Sequence, residues 1–175
     1  MKTVVGLIGS LRKGSVHRVI FNHYQDLSKK KFNLIEGDLS RVPLYNQDLD
    51  FPEEVKKLAE LIRKSDGLLF FTPEYNYSVP GVLKNTIDWL SRVEGNPFNG
   101  KVSSIIGASP GNTGTARMQY DLRKIGVFLN LDFLNKPEVM IGQVFEKVSE
   151  EIIKDSDTIQ FLVKHIEAFS KKMDS

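Results

Sequence analysis

Uninterrupted apolar runs alternate along this chain with segments whose apolar residues recur every three or four positions. The first pattern marks strands covered on both faces, and the second marks helices with one buried stripe. Thr3 to Ile8 is the first strand, ending in Gly9-Ser10. After a loop from Leu11 to Gly14, Val16, Val19, Ile20 and Leu27 share one helical face. Phe32 to Ile35 is a second short strand, followed by an irregular stretch, Leu39 to Asp50. Val55, Leu58, Ala59 and Ile62 mark the next helix, closed by Ser65-Asp66-Gly67.

Gly67 to Thr72 reads as the third strand, buried in the middle of a sheet. A polar and aromatic loop follows, and a helix restarts at Pro80 with Val82, Leu83, Thr86, Ile87 and Leu90 inward and Lys84 and Asp88 outward. Val102 to Ala108 is the fourth strand. A helix from about Ala116 to Ile125 precedes an interrupted fifth strand in two pieces, Phe128 to Phe133 and Val139 to Ile141. The last helix is expected to bury Ile159, Leu162, Val163, Ile166 and Phe169. Strand and helix alternate throughout, which predicts an α/β fold with a five-stranded parallel sheet and right-handed crossovers. With 175 residues and no linker-like segment, one domain spanning 1–175 is expected.

Composition narrows the function. The formal net charge is +2 with both signs interspersed. There is no basic stripe for nucleic acid, and no strongly acidic surface of the kind a small electron carrier presents. Lys29-Lys30-Lys31, at a helix end, suits a solvated terminus. Cysteine is absent, which removes thiol redox chemistry, disulfides and thiolate metal sites. His23 and His165 sit on helices without partners at metal spacing, so solvated or capping roles are expected for them. No apolar stretch approaches the roughly 20 residues of a membrane span, and the expected compartment is the cytoplasm.

The loops after strands one, three and four carry the candidate chemistry, because ligands of open parallel sheets bind at the carboxyl ends of the strands. Gly9 to His17 opens a helix and holds two serines, two cations and no acid. Its N–H groups and positive helix end favour a phosphate, each dipole interaction contributing about 0.3–1 kcal/mol. Arg12 adds a forked, charge-assisted contact. The same residues also suit a serine-capped helix with solvated basic side chains.

Gly9 and Gly14 have the spacing of a nucleoside-triphosphate loop, yet Ser15 stands where that motif requires lysine. Thr72 and Pro73 replace the acid that would hold magnesium. One terminal phosphate therefore fits better than a triphosphate or a pyrophosphate. In the third-strand loop, Pro73 and Pro80 bias Thr72 and Val79 away from helical geometry, leaving backbone groups between them to face a flat ligand. Tyr75 and Tyr77 suit either that ligand or a contact with a second subunit. Trp89, Ile87 and Leu90 suit core or subunit packing. Ser109-Pro110-Gly111-Asn112-Thr113-Gly114 offers two glycines for close backbone approach.

Three motifs together resemble the NADPH-dependent FMN reductase family of flavodoxin-like proteins, which includes quinone, chromate and azo-dye reductases. They are Gly-Ser-Leu-Arg-Lys-Gly-Ser from Gly9, the long stretch from Pro73 to Trp89, and Ser-Pro-Gly-Asn-Thr-Gly from Ser109. The resemblance implies a flavodoxin-like three-layer sandwich with strand order 2-1-3-4-5. It further implies that Ser10, Arg12, Ser15, Val16 and His17 cradle the FMN phosphate, while Pro73, Glu74, Tyr75 and Asn76 border the ring largely through backbone, with Ser109 and Gly111 on the other side. NADPH or NADH is the implied co-substrate, a quinone, FMN or azo compound the acceptor, and a homodimer or homotetramer the assembly. No catalytic acid or base is implied, since the flavin carries the chemistry. The alternative is a flavodoxin-type FMN carrier without nicotinamide turnover. Two positions depart from the family: His17 stands where asparagine is common, and Gly114-Thr115 replaces a double glycine.

Overall fold

In the computed structural model, which describes residues 1–175, the apolar runs become strands β1 (Thr3–Ile8), β2 (Asn33–Gly37), β3 (Gly67–Thr72), β4 (Val102–Ala108), β5 (Asp132–Phe133) and β6 (Val139–Ile141). Between them lie helices α1 (Val16–Ser28), α2 (Glu53–Lys64), α3 (Gly81–Leu90), α4 (Ala116–Leu129), the short α5 (Val144–Lys147) and α6 (Ser156–Met173). The sheet is parallel with order β2-β1-β3-β4-β5, and β6 also pairs with β4.

The missing polar alternation in the strands has a direct structural cause. Val4, Ile8, Leu69, Phe71, Ile106 and Ala108 pack against α1 and α6 through Ile20, Tyr24, Leu162, Ile166 and Phe169. Val5, Leu7, Leu68, Phe70 and Ile105 point the other way, onto α2, α3 and α4 through Leu58, Ile62, Leu83, Trp89 and Leu122. Successive strand residues face opposite sides, so a sheet with two covered faces needs apolar residues at every position. The three expected layers follow.

Several expectations change here. Phe128 and Leu129 belong to α4, which runs on to a left-handed Asn130 (φ 56°) that closes it as a C-cap. The fifth strand shrinks to Asp132–Phe133 beside Val102 and Ser103, and β6 takes over beside Ile106 to Ala108. Leu129 continues the buried stripe of Met118 and Leu122, whereas Val127 and Phe128 point into solvent at 82% and 76% exposure. In α6, Val163 is likewise exposed, and His165 is fully buried instead of solvated. Its ring nitrogens meet Tyr24 Oη and Ser104 Oγ, each at 2.8 Å. Lys84 and Asp88 do pair on the outer face of α3, at 2.7 Å.

Because β1, β3 and β4 are neighbours, the three unusual loops emerge side by side at one end of the sheet. The chain reverses its direction of winding between β1 and β3, where open sheets of this order place their ligands. No helix is long and apolar enough to cross a membrane.

Candidate functional site

The β1–α1 loop begins as an extension of the sheet, with Gly9 N–H donating to the Phe71 carbonyl at 2.8 Å. It ends in a turn in which Ser15 N–H donates to the Arg12 carbonyl at 3.1 Å. Ser15 caps α1, its Oγ accepting the His17 N–H at 3.2 Å. The N–H groups of Ser10, Leu11, Arg12, Lys13, Gly14 and Val16 donate to no protein acceptor. The Arg12 guanidinium folds back beside Gly14, with Nη2 3.7 Å from where a Cβ would stand. Neither Arg12 nor Lys13 forms an ion pair. The helix is serine-capped, and its remaining donors and cations are open.

His17 lies beneath this surface and not on it. Its imidazole is buried, and Nε2 accepts the Ala108 N–H at 3.2 Å, tying α1 to the end of β4. Burial lowers its pKa from 6.5 to about 4, with the backbone hydrogen bond to Thr72 acting the other way, and the accepted Ala108 N–H requires the neutral ring. At neutral pH the ring is therefore uncharged. Its place is to hold the helix end, with no side-chain atom offered to the loop surface.

The β3–α3 loop is less open than its prolines suggested. Tyr75 and Ser78 exchange backbone hydrogen bonds of 3.1 and 3.0 Å across a two-residue turn. Asn76 and Tyr77 at its tip have φ values of 51° and 65°, a tight hairpin geometry that usually recruits glycine. The N–H groups of Glu74, Asn76 and Tyr77 still lack protein acceptors. A left-handed tyrosine costs about 1–3 kcal/mol unless its surroundings hold it. Here the Arg117 guanidinium sits 4.2 Å from the Tyr77 ring centroid. Ser78 Oγ also donates to Asp121 Oδ2 at 2.9 Å. Pro73 is buried beneath the turn, and the exposed Tyr75 places its hydroxyl 3.5 Å from Ser10 Oγ, bringing the first two loops together.

The β4–α4 loop is shaped by its own hydroxyl. Ser109 Oγ donates to the Gly114 carbonyl at 2.5 Å, folding the loop back on itself. Gly114 has φ 61° and sits against Met140, where a Cβ would come within 2.8 Å of backbone, so glycine is required. Thr115, in place of the family's second glycine, turns its side chain into the protein and accepts from Gln119 Nε2 at 3.1 Å. The N–H groups of Gly111, Asn112 and Thr113 have no protein acceptors and are exposed.

The three loops thus form an open shelf, while other shallow grooves lie along α2 among charged side chains. Those grooves hold none of the unpartnered donors of the shelf, which makes the shelf the better candidate. Ser10, Arg12, Val16, Tyr75, Asn76 and Gly111 surround it, Ser15 and Pro73 support it from below, and Ser109 shapes its far edge. Sequence reasoning missed Arg117 and Asp121, which brace the middle loop from a helix about 40 residues downstream. No local motif signals such contacts.

The sequence profile of the NADPH-dependent FMN reductase family matches residues 2–146. The chain belongs to that family. It is 51% identical over 142 residues to an NAD(P)H-dependent FMN reductase of Pseudomonas aeruginosa, covering 79% of this chain and 77% of the relative. It is 42% identical to a quinone reductase of Escherichia coli K12 over 96% of this chain and 93% of the other. Among solved structures it is similar to FerB, a flavoenzyme NAD(P)H:(acceptor) oxidoreductase from Paracoccus denitrificans. That match has a TM-score of 0.90 and 35% identity, covering 99% of this chain and 98% of the other.

Proposed function

We propose that this FMN reductase family member binds FMN on the three-loop shelf, phosphate at the start of α1 and ring between the other two loops. The protein is an NAD(P)H-dependent flavin oxidoreductase, and quinones are the proposed acceptors, as in the relatives named quinone reductases. The observation that carries this reading is the set of unpartnered N–H groups from Ser10 to Gly14 and at Val16, at a helix N-terminus with two unpaired cations. That donor set suits a dianionic phosphate and is too short for a pyrophosphate. Free donors at Glu74, Asn76, Tyr77 and Gly111 to Thr113 suit the polar edge of a flat heterocycle.

When bound, FMN supplies the hydride chemistry, taking reducing equivalents from NAD(P)H and passing them to the acceptor. The chain's residues bind and orient. Arg12 and the α1 N-terminus neutralise the phosphate, the braced Tyr75–Ser78 turn holds one side of the ring, and Ser109 sets the other. No nucleophile and base pair is needed, and we assign no catalytic acid or base.

Self-association as a homodimer or homotetramer belongs to the same reading. It is supported by the exposed apolar residues Tyr120, Val127 and Phe128 on α4, and by the exposed Tyr77, whose ring Arg117 of the same helix covers. A cytoplasmic location is proposed with it, checked by cell fractionation. The deciding experiment mixes the FMN-loaded protein with NADPH and, separately, NADH in the absence of oxygen. Bleaching of the oxidised-flavin absorbance followed by its return on adding a quinone is expected. A flavin that stays oxidised with both nicotinamides overturns the reading.

A further inference from the structure

We propose that Glu74 is a positioning residue for the flavin ring that acts as the N-cap of α4, a proposal that rests on the flavin reading above. α4 starts without a cap of its own, because Thr115 at the N-cap position makes no side-chain hydrogen bond to the helix N–H groups. Its hydroxyl is instead buried with Gln119 Nε2. The Glu74 carboxylate fills the vacancy from a different loop. Oε2 accepts the Met118 N–H at 3.0 Å, the third-position donor that an N-cap side chain ordinarily satisfies. A negative charge there also meets the positive end of the helix.

The other carboxylate oxygen, Oε1, lies 3.7 Å from Arg117 Nη1, and Arg117 in turn covers the Tyr77 ring. The Glu74 side chain is only 9% exposed, and it is turned toward α4. A carboxylate in a ligand loop invites a proton-transfer role, yet this one is engaged on both oxygens by a helix end. Its reach explains why the loop needs an acid: the residues from Gly111 to Thr115 lead straight into α4. Fixing Met118 therefore fixes the β4–α4 loop relative to the β3–α3 loop. Glu74 sets the separation of the two walls between which the ring is placed, and it does not touch the phosphate loop.

The test titrates FMN and riboflavin into the flavin-free full-length chain, following flavin fluorescence and the visible absorbance band of the bound ring. Riboflavin has the ring without the phosphate. Glu74→Ala removes the cap, and Glu74→Asp keeps the charge but is one methylene too short to reach Met118. Glu74→Gln keeps an acceptor oxygen at the right length. Expected is an equal loss for both flavins of about fivefold to tenfold in Glu74→Ala and Glu74→Asp, with a shifted absorbance band. Glu74→Gln stays close to wild type.

Unchanged affinity in both Ala and Asp variants, a loss confined to FMN, or a Gln variant as weak as Ala each overturns the proposal. A merely structural role would lower the melting temperature without altering flavin affinity below it. Should Glu74→Ala melt below the assay temperature, the Asp and Gln variants decide. Failure of the wild-type chain to take up either flavin overturns the flavin reading itself, a separate result.

Discussion

The His165 Nδ1 atom lies 2.8 Å from the Tyr24 hydroxyl in the core between α6 and α1, and the opposite ring nitrogen lies 2.8 Å from Ser104 Oγ on β4. A neutral imidazole satisfies both, donating through one nitrogen and accepting through the other. Burial accordingly lowers the His165 pKa from 6.5 to about 3, as it lowers that of His17 to about 4. Both rings bind protons more tightly in the unfolded chain. Their contribution to stability is complete above pH 6.5 and is lost as pH falls from 6.5 toward 4 and 3. Each ring loses about 1.4 kcal/mol per pH unit once well below 6.5, so roughly 3 kcal/mol should disappear between pH 6.5 and 5. Urea denaturation across that window measures it. His165→Leu should be less stable at pH 7 and show about half the acid dependence; an unchanged slope would remove His165 from the account.

Arg12 is exposed and free of any carboxylate, so its expected contribution is a screened, charge-assisted contact with phosphate. Arg12→Ala should weaken FMN binding about tenfold at low salt and less at high salt, with riboflavin binding unchanged. Fluorescence titration of both flavins at two ionic strengths checks this. Equal weakening of riboflavin would move Arg12 from the phosphate to the ring.

Gly126 faces the opposite constraint. A Cβ there would stand 2.2 Å from the Phe133 ring, where α4 packs on β5. Glycine to alanine inside a helix ordinarily stabilises by about 1 kcal/mol. Here overpacking of about 1–3 kcal/mol opposes that gain. Gly126→Ala is therefore expected to lower the urea midpoint, and adding Phe133→Leu should recover part of the loss. A rise in the midpoint for the single variant would show that Phe133 moves aside freely.

The strands and most helices were legible in the sequence because both sheet faces are covered, which leaves runs such as Gly67 to Thr72 without polar interruption. The loop positions followed from strand order, since β1, β3 and β4 are neighbours. The end of α4 was not legible. Val127-Phe128-Leu129 is apolar throughout, and the pattern rules take apolar residues as buried, whereas two of these three face solvent. The hairpin at Asn76-Tyr77 was hidden because its left-handed positions carry no glycine. Contacts such as Tyr24 with His165, 141 residues apart, have no local signature at all.

The exposed end of α4 yields the last expectation. Phe128 and Val127 are more than three-quarters exposed in the single chain, with Tyr120 and Tyr77 also turned outward. Large apolar side chains grouped on one surface are costly to leave in water and mark association sites. Phe128→Glu places a charge there without disturbing the buried stripe of Met118, Leu122 and Leu129. A surface change of this kind alters the stability of an isolated chain by no more than about 0.5 kcal/mol. In an assembly joined through this face, however, the same charge would be buried against apolar neighbours without a partner, a cost of several kcal/mol. Light scattering after size exclusion should therefore report a multiple of 19.8 kDa for the wild type and a shift toward a single chain for Phe128→Glu. A wild type that already runs as a single chain would remove the assembly, and a variant that keeps the wild-type mass would move the interface to another face.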